Sequence, residues 1–88
     1  MKTELQEAAA FYRRIRQAET EDFKGFIRTE LIAALQRGNF AISLCAKTWP
    51  AVQRTLVLEW LDENDCRGQW EDYEGSVYLQ IVYKGYQP

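Results

Sequence analysis

The 88-residue chain contains no histidine. That absence removes the usual general base near neutral pH, and with it the nucleophilic triads and most zinc sites. Cysteine is nearly as scarce: Cys45 and Cys66 stand alone, at a spacing that matches no zinc or redox motif, and a disulfide between them is not expected. Glycine occurs five times, always singly, and none sits in a strand-to-helix turn followed by Lys-Ser or Lys-Thr, so no phosphate-cradling loop is present. The longest uncharged, mostly apolar run, Asn39 to Ala46, falls far short of the ~20 residues that span a bilayer. Charges interrupt Met1 to Gln17 throughout, unlike a secretory signal, and a cytoplasmic location is expected. No metal, cofactor or membrane association is anticipated.

What is present is apolar bulk. Hydrophobic residues make up 47% of the chain, including three Trp, five Tyr and four Phe, which suffices for a core without metal or disulfide staples. A chain this short builds one core, so residues 1–88 are expected to form a single domain, helical over 1–38 and mixed over 39–88.

Thr3 and Gln6 have the spacing of a capping box and predict a helix start. Leu5, Ala8, Tyr12 and Ile15, widened by Ala9 and Phe11, recur at helical spacing. The polar run Glu19 to Asp22 then offers Thr20 as a second cap. A second stripe follows: Phe23, Phe26, Ile27, Leu31, Ala34 and Leu35, ending at Arg37-Gly38. Two helices satisfy this pattern, and so does one long helix from Glu4 to Arg37.

Phe40, Ile42 and Leu44 alternate with Ala41, Ser43 and Cys45, predicting a strand with one bulky and one small face. Thr48-Trp49-Pro50 predicts a further helix start, with Trp49, Val52, Leu56, Val57, Trp60 and Leu61 as its buried stripe and a stop at Asn64 or Asp65. Cys66 to Tyr73 and Ser76 to Lys84 flank Glu74-Gly75, a hairpin signal, and the tail from Gly85 to Pro88 is expected to be loose. The last strand carries apolar groups on both faces and should be central. The expected fold is therefore α+β: two N-terminal helices or one, then β-α-β-β, with a three-stranded mixed sheet in the order 1-3-2.

The segment Glu59 to Glu74 concentrates charge. Glu59, Asp62, Glu63, Asp65, Glu71, Asp72 and Glu74 face a single compensating Arg67. These carboxylates lack the spacing and central glycine of a calcium loop, and they keep a surface solvated or attract a basic partner. With Tyr73 and Tyr78 they are the candidate partner-binding residues. Arg13, Arg14 and Arg16 form a short basic run, but the acidic total and the interleaved Glu4, Glu7, Glu19, Glu21 and Asp22 argue against direct nucleic-acid binding. No acid and base with nameable roles can be paired, which points away from an enzyme and towards a protein-interaction module. The helical half carries more apolar surface than a short three-stranded sheet needs, so a homodimer built on those helices is a second expectation.

A helix ending in Leu35-Gln36-Arg37-Gly38, the strand Phe40 to Cys45, a helix ending in Trp60-Leu61-Asp62-Glu63-Asn64 and a hairpin closing on an aromatic strand together resemble a pattern among small phage-encoded accessory proteins of unknown function. The resemblance covers about half of the chain and rests on pattern, without any sequence-specific motif. It implies a phage or prophage protein, in a class that includes inhibitors of host enzymes and of defence systems acting by protein contact.

Overall fold

A computed structural model describes residues 3–85; the expectation for 86–88 lies outside the described residues. The element order is α1 (Glu4–Gln36), β1 (Ala41–Cys45), α2 (Arg54–Glu63), β2 (Cys66–Tyr73) and β3 (Ser76–Tyr83).

The N-terminal half is one helix. Thr3 caps it reciprocally with Gln6, as the spacing predicts, the Gln6 amide donating to Thr3 Oγ1 at 3.1 Å and Thr3 N–H donating to Gln6 Oε1 at 2.9 Å. The far end closes in a Schellman arrangement: Gly38, at φ 84, donates to the Leu35 carbonyl and Asn39 to the Ala34 carbonyl. Between them Thr20 does not cap a second helix. It is buried, its hydroxyl donates to the Arg16 carbonyl at 2.7 Å, and it accepts the Gln53 N–H at 2.9 Å. The helix runs through Glu19 to Asp22 because Glu19 and Thr20 accept from another segment and do not cap the local backbone, which continues its own ladder.

That other segment is the stretch 46–53, where the sequence predicts a helix start at Thr48 to Pro50. The helix begins only at Arg54. Ahead of it, the Ala51 N–H donates to the Glu19 carboxylate, the Ala51 carbonyl accepts from Arg16 Nε at 3.3 Å, and the Gln53 N–H goes to Thr20. Backbone groups that a longer α2 would have used internally are satisfied by α1 side chains. Trp49 consequently leaves the stripe of α2 and packs on α1 against Phe23 and Phe26, with ring centroids 5.3 and 5.9 Å apart. Leu56, expected in the buried stripe, is exposed.

The sheet has the order β1-β3-β2, as expected, but it is antiparallel in every pair and not mixed. β1 and β2 run parallel to one another, yet β3 separates them, so no parallel ladder exists. The hairpin turn places Glu74 at φ 49 and Gly75 at φ 77, the two positive values that a tight two-residue turn requires.

Both helices lie on one face of this sheet. Phe23 and Ile27 from α1, Val57 and Leu61 from α2, and Leu44, Cys66, Leu79 and Ile81 from the strands share a single buried cluster. α2 approaches β2 closely at Gly68, where a Cβ would stand 2.6 Å from Leu61 Cδ1 and 2.8 Å from Leu58 Cδ2. Trp60 of α2 faces α1, with Arg28 and Lys24 over its ring at 5.7 and 6.0 Å.

Two stability predictions follow from these contacts. Thr20→Val keeps the side-chain volume but orphans the Gln53 N–H, and should lower unfolding stability by about 1–3 kcal/mol in urea titration, whereas Thr29→Val on the exposed face should change it by less than about 0.5 kcal/mol. Glu74→Asn places a residue tolerant of the left-handed region in the hairpin turn and should raise stability by about 0.5–1 kcal/mol.

Candidate interaction surfaces

Strand alternation sends every second side chain away from the helices. In register across the sheet, the outward rows are Ala41, Val82 and Arg67; Ser43, Gln80 and Gln69; and Cys45, Tyr78 and Glu71, with Tyr73 beside Ser76 at the hairpin end. No element of the described residues covers this face, so the small side of β1 is the side left wet. A shallow depression on it is lined by Ser43, Glu71, Asp72, Tyr73, Tyr78 and Gln80. Gln80 Nε2 donates to Glu71 Oε2 at 3.3 Å and ties the two strands across its floor.

The nine residues nominated from the sequence fall into two groups. Glu71, Asp72, Tyr73 and Tyr78 come together in that depression, with Glu74 exposed at the adjoining turn. Glu59, Asp62, Glu63 and Asp65 belong to α2 and the turn that follows, at the opposite end of β2, a separation of about 20 Å for an eight-residue strand. Asp62 there is bridged by Lys84 at 3.2 Å. The acidic segment is thus continuous in sequence and divided in space, and among the described residues no group of carboxylates or cysteines could hold a metal ion. Ser43 and Gln80, which also line the depression, are not among the nominated residues. Their parity opposite to Leu44, Leu79 and Ile81 is the signal that places them on the open face.

A second uncovered surface lies on α1. Leu5, Phe11, Tyr12 and Ile15 are 79, 63, 56 and 45% exposed, and the buried cluster takes no α1 side chain before Phe23. The first stripe is therefore helical as expected but adds nothing to the buried cluster of the described residues. It is turned roughly a quarter of the way round the helix from the face that Thr20, Phe23, Ile27 and Ala34 press on the core. The helix leaves the body as an arm, which makes the molecule 58 Å long with a radius of gyration of 15.4 Å, against about 12 Å for a globule of this length.

The fold and these surfaces define a small two-layer α+β domain with one open sheet face and a projecting helix. No protein-family model matches the chain, and no match is found among curated proteins or solved structures. No helix among the described residues is long and apolar enough to cross a membrane.

The two thiols are both free and differ in setting: Cys45 is exposed on the open face and Cys66 is buried on the other. Burial, and then the neighbouring Asp65 carboxylate, push the Cys66 thiol above its ordinary value. A thiol-disulfide reagent at pH 8 should therefore modify one cysteine per chain rapidly, at Cys45, and reach Cys66 only as the protein unfolds, as mass spectrometry of the labelled peptides would show.

Proposed function

We propose that the protein is a non-enzymatic interaction module that holds another protein against the open face of its sheet, and that it serves as a phage or prophage regulator of a host protein. The observation that carries this reading is the placement of both helices on one side, which leaves Tyr73, Tyr78 and Val82 uncovered beside the Glu71 carboxylate, with Asp72 at the rim of the same depression. Tyrosines beside a polar floor of Ser43, Gln80 and Gln69 with a charged border suit a protein-binding surface, in which tyrosine is enriched, and carboxylates at its rim favour a basic partner by steering the encounter. The phage assignment is supported by the pattern resemblance alone.

The test is retention of a host protein by immobilised full-length chain at low and moderate salt, compared with Glu71→Lys/Asp72→Lys. A stoichiometric partner held by the wild type and lost on charge reversal is expected. Equal retention by both at low salt overturns the assignment of this face. Self-association is the second reading, and the specific observation favouring it is the uncovered arm of α1.

A further inference from the structure

The arm of α1 has a charge and shape pattern that is complementary to itself when reversed. Its apolar seam residues are spaced three and four apart: Leu5, Ala8, Tyr12 and Ile15. This is the heptad seam of a helix that packs along another helix. The seam stops at Glu19, where α1 docks on its own domain through Glu19 and Thr20. Charge along the same stretch is segregated, with Glu4 and Glu7 near the N-terminus and Arg13, Arg14 and Arg16 towards the domain.

If a second copy of the arm is laid antiparallel about a two-fold axis at the level of Ala10, Leu5 meets Ile15 and Ala8 meets Tyr12. The small residue of one helix lies opposite the large residue of the other. Glu4 and Glu7 come to the level of Arg14, on the same side of the seam, and the two helix dipoles oppose favourably. In a parallel pairing Tyr12 would meet Tyr12, and carboxylates and guanidinium groups would each face their own kind. The uncovered part of the arm is also only about four turns long, a length at which a helix without tertiary contacts is marginal in water, so a partner along the seam supplies contacts that the described residues do not.

We propose that two copies of this chain pair through Glu4 to Arg16 of α1 as an antiparallel two-helix interface, with Leu5 against Ile15 and Ala8 against Tyr12 across the dyad. The pairing leaves the open sheet face of each copy free, so it stands or falls independently of the heterologous reading. The contact is short, about 20 Å of helix, which places it at the weak end of specific interfaces and makes the dimer concentration-dependent.

Sedimentation equilibrium of the full chain tests this, together with Leu5→Glu/Ile15→Glu. Both positions lie outside the core, so the urea midpoint of the body serves as the folding control and should not move. The wild type should show a monomer–dimer equilibrium that tightens at low salt, and the double variant should weaken it roughly a hundredfold or more. Orientation is read by disulfide trapping in a Cys45→Ser background: Leu5→Cys mixed with Ile15→Cys should yield the heterodisulfide, while each variant alone should not cross-link. A wild type that remains monomeric into the millimolar range overturns the proposal, as do self-cross-links of each variant alone, which would mean a parallel pairing. The partner assay on the sheet face, run on the monomeric double variant, reports on the other surface regardless of this result.

Discussion

Phe23 is the contact on which the arrangement of this molecule depends. It is fully buried, and its ring lies within stacking distance of Trp49 in the loop, Trp70 on β2 and Phe26 one turn along the helix. Three segments distant in sequence are held by one side chain. Losing it would forfeit the burial of a large aromatic, typically 3–5 kcal/mol, and would also release the loop that carries Trp49. The docking of α1 at this point sets the level at which Arg16, Glu19 and Thr20 meet the loop backbone. That polar clasp in turn fixes where α2 can begin.

One-sidedness follows from the same constraint. With α1 held over β1 and α2 over β2, the two helices occupy a single face of a sheet only three strands wide, and among the described residues no further element closes the other. The chain does not balance its apolar residues between faces. Leu79 and Ile81 are sealed, while Val82 and Tyr78 of the same strand look outward. Because α1 is anchored from Arg16 onward, the turns before it extend past the edge of the core. Both unoccupied surfaces are thus consequences of a single docking geometry.

Much of this was legible in the residues. The capping box at Thr3, the glycine stop at Gly38, the bulky and small faces of β1, the hairpin at Glu74-Gly75 and the strand order all express local patterns that the tertiary structure respects. The misreadings share one cause. Thr20 has the chemistry of a helix cap, and Thr48-Trp49-Pro50 that of a helix start, but here cap chemistry is exercised across the chain: the hydroxyl and carboxylate of α1 satisfy amide groups more than thirty residues away. Local pattern cannot distinguish a side chain that bonds its own backbone from one that bonds a distant one. The candidate acidic surface illustrates a related limit, since seven carboxylates within sixteen residues are divided as soon as α2 folds back along β2. Tyr73, Tyr78 and Glu71 were recoverable as neighbours only because strand register is fixed by a two-residue turn.

The arm poses the sharper physical question, because an amphipathic helix that leaves its core keeps a stripe exposed that costs solubility and gains nothing in the monomer. Leu5, Phe11, Tyr12 and Ile15 could each be polar without removing a side chain from the buried cluster. The spacing of Leu5, Ala8, Tyr12 and Ile15 nevertheless follows the seam of a paired helix, and the flanking charges reverse sign along the axis in the sense that antiparallel self-pairing requires. A random exposed surface would satisfy neither condition, and a surface shaped only for a foreign helix need not satisfy the second. Self-complementarity about one point of the sequence is what a two-fold interface demands, because each residue must suit its own symmetry-related environment. The body and the arm therefore answer to different constraints: the body to a core gathered around Phe23, the arm to its own reflection in a second copy.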